Sequence, residues 1–451
     1  MKKIFLIGFG VLIVAILFFF VFLQNDKRQI TINILGEDTA TLNAIEDVKE
    51  RFEIKKGIKV NIVKNTFEVL QQKAGQDLAN GTGLYDIILN YNFSLSSYTE
   101  NGWVLTKDEY KKYFNSETIE TFENDVFSNI WKETGYYRLN REKEPRAIGY
   151  PFAGNTMLLV YNRTFFEDEN NKQAFLNRYG AELTPPTTWN QYKNIAEFFT
   201  NPKNGIYGVV LEGASGGWLY YEICNFIYGM GGGILDKKYG WEGDINTPVI
   251  ISSPETIKAL EFYFSLKPFN AGDYFSTGQN EQRELMKSKK AVMAIMWSDV
   301  LFDLFNSPDS DEFSYAPIPG DASVIGGGIY YINRASKHPD MAAQFIEYII
   351  QKDVQVALMK KGLCSALQSA YRDPKVKDIP YVNALYKSLV RAKYMHEAGP
   401  DSDAIQEIIT KTIQRIWRGD ISIKEGVLEA NEEMIKKRKD IYGLIKKIDS
   451  Q

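Results

Sequence analysis

The chain has 451 residues, 44% of them hydrophobic and 24% charged, which is more than one ordinary hydrophobic core accommodates, so two domains are expected. Its formal net charge is −4, and beyond residue 29 it carries 49 basic against 56 acidic side chains, or −7. This mildly acidic balance, without a basic block, excludes nucleic acid as a partner.

The first 29 residues predict export and membrane attachment. Lys2 and Lys3 precede an unbroken apolar run over residues 4–23, long enough to cross ~30 Å of hydrocarbon as a helix. A cleaved signal has an apolar core of only ~7–15 residues followed by a small-residue site, and no such site follows Leu23. The positive flank stays in the cytoplasm, which puts the rest of the chain outside. We predict an uncleaved signal anchor, a transmembrane helix, in residues 1–29; a processed signal peptide is the alternative.

Beyond this segment, short β-rich runs alternate with longer helical patterns, which predicts an α/β fold. Residues 30–35 predict a first strand, and a helix from about Thr41 ends at Gly57. Residues 59–63 and 85–89 predict the next two strands, the latter too apolar to be solvated on either face. Roughly the last ninety residues have helical patterns almost throughout.

The two cysteines, Cys224 and Cys364, are too few for a disulfide framework. Isolated cysteines most often serve as small buried apolar side chains, so we expect both to lie in the core. A single bridge between them is the alternative.

Glycine, proline and aromatic residues punctuate the middle of the chain in a specific order. The segments are RAIGYPFAGNT (146–156), PPTTW (185–189), YGVV (207–210), SPETIKALEF (253–262), AVMAIMWS (291–298), PIPG (317–320), GGG (326–328) and SKHPDMAAQFI (336–346). Their order and spacing resemble the extracellular solute-binding proteins of bacterial ABC importers, in the carbohydrate-binding, maltose-binding-protein-like group. The resemblance covers roughly residues 30–435. No single motif is specific, and the evidence is their combined order.

The resemblance implies a periplasmic-binding-protein-like fold, in which two α/β lobes are joined by a hinge and enclose a ligand cleft. Lobe one is expected to take residues 30–149 with 328–366, and lobe two residues 150–327 with 367–451. Gly149-Tyr150-Pro151 and Gly326-Gly327-Gly328 would lie at crossings between the lobes, where backbone freedom or a fixed φ is needed. The alternative is that these glycines and prolines only end strands.

The resemblance also implies a function: a binding subunit that captures a mono- or oligosaccharide by lobe closure and delivers it to ABC permease subunits. We expect a monomer without cofactor or metal, located outside the cytoplasm and tethered by its N-terminal segment. Two alternatives stay open. One is a sensory binding protein coupled to a membrane kinase, and the other is a protein for a peptide or polyamine solute.

A sugar site needs aromatic faces for the apolar C–H surfaces and polar groups for the hydroxyls. Trp297 and Asp299 follow a buried apolar run and belong to a region that lines the cleft in the family. Trp218 follows a glycine-rich loop where relatives supply a stacking ring. The alternatives are a core role for Trp297, packing of Trp218 onto the Gly229–Gly233 turn, and a helix cap for Asp299.

Polar residues at predicted strand ends complete the candidate site. Ligands of open α/β sheets meet the carboxyl ends of strands, which makes candidates of residues after the first and third strands and after the first crossing. These further candidates are Glu37, Asp38, Tyr91, Asn92, Asn155, Thr156 and Gly327. Where maltose-binding relatives carry an Asp-Arg pair after the third strand, this chain has residues NYNFS (90–94), so a maltodextrin is not implied.

Enzyme functions are poorly supported by the sequence. The only histidines, His338 and His396, lie far apart in unrelated surroundings, which gives no metal pair and no histidine-based triad. No glycine-rich phosphate-binding loop follows a strand. A glycoside hydrolase needs only two placed carboxylates, but among 57 acidic residues that condition carries almost no information.

Overall fold

The computed structural model describes residues 29–138, 144–215, 217–236, 244–320, 323–393 and 399–448. The predicted membrane anchor lies outside these residues, apart from Gln29. His396 also lies outside them. Within the described ranges, no helix combines the length and the apolar character that a bilayer crossing requires.

The described residues form twelve strands. They are β1 (Thr31–Glu37), β2 (Lys59–Asn65), β3 (Ile87–Tyr91), β4 (Val104–Leu105), β5 (Tyr136–Tyr137), β6 (Arg146–Ala147), β7 (Asn155–Asn162), β8 (Tyr207–Val210), β9 (Ala291–Trp297), β10 (Phe313–Pro317), β11 (Ile325–Gly326) and β12 (Gly328–Asn333).

These strands build two main sheets. The first has the order β2-β1-β3-β12-β4, with β1 parallel to both β2 and β3, and β12 antiparallel to β3 and β4. The second has the order β10-β7-β9-β8, with β11 also pairing with β7. β5 and β6 form a separate antiparallel pair. The predicted α/β class is confirmed.

Helices connect and cover the strands. They are α1 (Ala40–Lys56), α2 (Phe67–Asn80), α3 (Leu95–Glu100), α4 (Lys107–Tyr110), α5 (Ser116–Asp125), α6 (Ser128–Gly135), α7 (Arg163–Glu167), α8 (Glu169–Tyr179), α9 (Trp189–Phe199), α10 (Gly217–Gly229), α11 (Pro254–Phe264), α12 (Gln279–Lys287), α13 (Leu301–Phe305), α14 (Pro339–Ile349), α15 (Lys352–Met359), α16 (Val382–Arg391), α17 (Ser402–Arg418) and α18 (Ile423–Ile448).

The first helix shows how the sequence sets local structure. α1 buries Leu42, Ile45 and Phe52 on one stripe, as its apolar spacing predicts. It ends at Gly57, whose φ of 67° is left-handed and whose N–H donates to the Glu53 carbonyl. A residue with a side chain is strained in that conformation, so glycine ends the helix where the sequence predicts.

Three chain segments run side by side between the sheets. The N–H of Phe152 donates to the carbonyl of Gly328 at 3.1 Å, and the N–H of Gly154 donates to the carbonyl of Cys364 at 2.7 Å. Gly327 has a φ of 116°, and a Cβ added there would lie 3.1 Å from the Ala153 carbonyl oxygen. Backbone hydrogen bonds thus join segments from three distant parts of the chain at the place where the chain passes between the sheets.

Both cysteines are buried, as expected, and they form no disulfide. Cys224 lies in α10, and Cys364 lies beside the crossing segments, where its Sγ contacts the Ser298 hydroxyl at 3.3 Å. Burial raises the pKa of the Cys364 thiol to about 12. Each cysteine therefore fills core space, and Cys364 does so as a neutral thiol.

Candidate functional site

Strand ends from both sheets meet in one region, called here the sheet junction: the carboxyl ends of β1, β3 and β9, the start of β7, and the β11–β12 connection. Pairing fixes this arrangement, because Gly328 pairs with Tyr91, Gly326 pairs with Asn155, and Met157 pairs with Trp297. The turn after β9 also contacts α1, the helix that follows β1. Residues from the two sheets thereby come within reach of each other.

Glu37 and Tyr91 form the polar contact on the first sheet's side. β1 and β3 are parallel neighbours, so their carboxyl ends lie together, and the Tyr91 hydroxyl donates a hydrogen bond to the Glu37 carboxylate. Burial raises the pKa of Glu37 to about 7, the Tyr91 bond opposes the rise, and the nearby charges of Asp299, Glu68 and Asp38 add to it. Glu37 is therefore partly protonated near neutral pH.

Asp299 and Trp297 provide the second sheet's side. Burial raises the pKa of Asp299 to about 6, while the backbone N–H groups of Asp299 and Val300 oppose the rise. Its Oδ1 atom is buried and has no hydrogen-bond partner among the described residues. Asp299 also contributes to the raised pKa of Glu37, so the two carboxylates interact electrostatically across the junction.

Aromatic rings line both sides of the carboxylates. Tyr91 stacks with Phe93 at 6.0 Å between ring centroids and contacts Phe152 edge-on at 5.9 Å. Trp297 is 8% exposed, and its ring packs edge-on against Tyr221 at 5.1 Å. A Cβ on Gly326 would lie 2.5 Å from the Trp297 ring, so only glycine leaves room for the indole.

Trp218 lies apart from this packed group. It is in the first turn of α10, is 38% exposed and lies beside Gly278. An exposed indole next to a glycine offers a flat apolar face to solvent.

The remaining sequence-predicted residues differ in exposure and in their hydrogen bonds. Asn155 is 6% exposed at the junction, and its Oδ1 has no partner among the described residues. Asp38 is solvent-exposed and accepts a hydrogen bond from Asn43 at 3.3 Å, whereas Asn92 is buried at the start of the turn after β3. Gly327 contributes backbone conformation at the crossing.

Thr156 corrects the expectation of a hydroxyl open to the cleft floor. The side chain is completely buried, and its hydroxyl donates to the Val324 carbonyl at 2.6 Å and lies 2.8 Å from the Ser323 hydroxyl. These bonds join β7 to the chain before β11. Thr156 therefore supports strand pairing instead of offering a free group to a ligand.

Two acidic residues that the sequence reasoning missed lie behind the junction. Glu212 and Glu222 are completely buried, and none of their four carboxylate oxygens has a hydrogen-bond partner in the described part of the chain. Burial raises the pKa of Glu212 to about 8, and the charges of Asp299 and Glu281 add to the rise. Burial also raises the pKa of Glu222 well above its ordinary value, with a further contribution from Glu212.

A sequence signal for Glu212 exists. The residue comes directly after the apolar run YGVVL (207–211), so the strand-end argument that selected Glu37 applies to it equally. Tyr221 is not among the sequence candidates, and of the two adjacent tyrosines Tyr220 is the fully buried one. Helical position alone did not show that Tyr221 packs against Trp297.

The junction offers hydrogen-bond acceptors and aromatic faces. In the described ranges, no group of three or more histidine, cysteine, aspartate or glutamate side chains is arranged to hold a metal ion. The acceptors and aromatic faces suit reversible binding of a small solute that has hydrogen-bond donors and apolar faces.

Comparisons with known proteins agree on one family. The model for bacterial extracellular solute-binding proteins matches residues 47–384. A probable ABC transporter-binding protein of Deinococcus radiodurans is 23% identical, over 52% of this chain and 60% of that protein. A maltotriose-binding protein of Pyrococcus abyssi is 21% identical, over 79% of this chain and 67% of that protein.

The fold also matches a solved structure. An ABC transporter solute-binding protein of Thermotoga lettingae, bound with α-D-tagatose, superposes with a TM-score of 0.73 at 24% identity, over 91% of this chain and 100% of that one. The periplasmic-binding-protein-like class predicted from the sequence is thereby confirmed.

Proposed function

The chain belongs to the bacterial extracellular solute-binding proteins, and from that premise we propose that it captures a carbohydrate or polyol and delivers it to an ABC transporter. Proteins of this family bind solutes and do not convert them. The relatives named for maltotriose and α-D-tagatose support the carbohydrate class. A hydrolase is correspondingly disfavoured, and stoichiometric binding without release of reducing sugar would distinguish the two.

The observation that carries this proposal is the meeting of Glu37 and Tyr91 from one sheet with Asp299 and Trp297 from the other. Carboxylate oxygens accept hydrogen bonds from sugar hydroxyls, and aromatic rings pack on the apolar face of a sugar ring. We propose Asn155 as a further polar contact, and Trp218 as an exposed ring that stacks on the solute.

The mechanism we propose is closure of two lobes around the solute. Lobe one comprises residues 30–149 with 328–366, and lobe two comprises residues 150–327 with 367–451. The return of β12 to the first sheet and the three hydrogen-bonded crossing segments support these limits. A solute that contacts both sides binds the closed form better, and this difference in affinity drives closure.

Ligand screening tests the proposal. The full chain, purified in mild detergent, is heated with a panel of sugars and polyols that includes D-tagatose and maltotriose. A ligand at a hundred times its Kd stabilises the native state by about 2.7 kcal/mol, which raises Tm measurably. Asp299→Ala should remove the shift, whereas Glu255→Gln, at an exposed residue in the first turn of α11, should keep it. If no panel member raises Tm, the carbohydrate assignment fails.

We further propose that residues 1–29 tether a monomeric protein to the outside of the cytoplasmic membrane. The lysine-flanked apolar run supports this proposal. Intact mass of the native protein tests it, since a mature chain that begins near residue 25 contradicts the tether. A neighbouring kinase gene in place of permease genes would favour the sensory alternative.

A further inference from the structure

Three acidic side chains are called here the junction carboxylates: Glu37 and Asp299 at the sheet junction, and Glu212 behind it, just after β8. No Lys or Arg in the described part of the chain forms an ion pair with any of them. Their electrostatic neighbours are also acidic, since Asp299 acts on both Glu37 and Glu212, and Glu68 and Asp38 add to the charge around Glu37. Acidic side chains without a cationic partner among the described residues thus accumulate where the proposed solute binds.

Several buried oxygen atoms in and behind the junction are hydrogen-bond acceptors without a donor within the described ranges. Glu212 is 0% exposed, both of its carboxylate oxygens lack a partner among the described residues, and it interacts electrostatically with Asp299. Oδ1 of Asp299 and Oδ1 of Asn155 are likewise buried without a partner among the described residues. Because leaving such atoms unsatisfied is costly, the missing partner is a group rich in donors.

A protonated amine meets these conditions better than a hydroxyl does. An ammonium has three donors and no acceptor, whereas each sugar hydroxyl also brings an acceptor that needs a donor of its own. Its positive charge offsets the carboxylates, and the faces of Tyr91 and Tyr221 attract a cation as well. A metal ion is a poorer candidate, because the described residues hold no cluster of three metal-ligating side chains.

We infer that the solute is a cationic, hydroxylated molecule of the amino-sugar type, whose ammonium group lies between Glu37 and Asp299 while its ring packs on the aromatic side chains. This inference rests on the proposed function and narrows its substrate class. Ion pairing also explains how carboxylates that burial pushes toward the neutral form become ionised when the solute binds.

Matched ligand pairs test the inference. Isothermal titration of the full chain in mild detergent at pH 7.5 compares D-glucosamine with D-glucose and N-acetyl-D-glucosamine, and D-galactosamine with D-galactose. The free amine should bind on the order of tenfold tighter than its neutral partner, because a hydrogen bond to a charged group is stronger than a neutral one. Added salt should weaken the amine's binding more than that of the neutral sugar.

Variants connect the preference to the carboxylates. Asp299→Asn should bring the amine and its neutral partner to equal affinity, and Glu37→Gln provides the same test if the first variant unfolds. Glu255→Gln, which removes one exposed charge outside the site, should retain the preference.

The outcomes separate the two proposals. A neutral sugar that binds as tightly as its amine overturns the inference and leaves the proposed function standing. A preference for the amine that survives both Asp299→Asn and Glu37→Gln also overturns it. If neither sugars nor amines bind, the proposed function fails together with the inference.

Discussion

Replacing Glu212 with glutamine should stabilise the protein increasingly as the pH rises. Glu212 has a folded-state pKa of about 8 against an ordinary value of 4.5, because burial disfavours its charged form. The folded state therefore holds a proton that the unfolded state releases between these values. The contribution of Glu212 to stability is fully present below pH 4.5 and is lost as the pH rises toward 8. Glutamine has no charge to bury and escapes this loss.

The expected size follows from the same two pKa values. Between pH 5 and pH 8, the wild-type protein should lose about 3 kcal/mol of unfolding free energy that the Glu212→Gln variant retains. Glu222 does not cancel this effect, because its pKa is raised well above the ordinary value and its proton is retained. Asp299 and Glu281 add to the stabilisation of the Glu212→Gln variant at high pH, because removal of the Glu212 charge relieves its repulsion with both.

Urea unfolding monitored by tryptophan fluorescence measures the difference at pH 5, 6, 7 and 8. Comparing variant with wild type at each pH cancels the other titrating groups, and Glu255→Gln serves as an exposed control with no expected trend. A constant difference between Glu212→Gln and wild type across this range would refute the buried-carboxylate reasoning, and a difference that shrinks with pH would reverse its sign.

Three further outcomes are expected. Gly327→Ala should cost ~1–3 kcal/mol of unfolding free energy in urea titration, because φ is 116° and the added Cβ would meet a carbonyl 3.1 Å away; a neutral result contradicts the strain. Trp297→Ala should cost ~3–5 kcal/mol of unfolding free energy, because the ring is buried. Trp218→Ala should change the unfolding free energy by less than ~0.5 kcal/mol but weaken solute binding by ~1–2 kcal/mol, because this ring is exposed. Equal losses of stability in the two variants would contradict their different burial. Cys224 and Cys364 should react with a thiol reagent only after unfolding, and prompt labelling of the native chain would contradict their burial.

Much of the fold could be predicted from the sequence, because it depends on the local chemistry of neighbouring residues. Gly57 marked the end of α1 because only glycine adopts the left-handed cap without strain, and the apolar spacing of Leu42, Ile45 and Phe52 marked its buried stripe. The run before Glu37 similarly gave β1, although the strand continues two residues beyond the predicted end at Leu35. Such features depend on residues close together in the chain.

The candidate site was harder to predict from the sequence, because its contacts join residues that are far apart in the chain. Sequence spacing places Thr156 just after a crossing, but only the paired strands show that its hydroxyl is already bonded to Val324. The closeness of Glu37 and Asp299 likewise depends on how the two sheets meet. The strand-end rule could have identified Glu212, but the lack of a hydrogen-bond partner for its carboxylate among the described residues is a property of the folded protein.

The position of β12 has a consequence for how the chain reaches its native state. This strand lies between β3 and β4 but is made about 240 residues after β3. During synthesis from the N-terminus, β1, β2 and β3 are made before β12, so the edge of β3 that pairs with β12 is at first unpaired. An unpaired strand edge is prone to pair with the wrong strand. The first sheet can therefore be completed only after residue 333 has been synthesised, which is most of the chain.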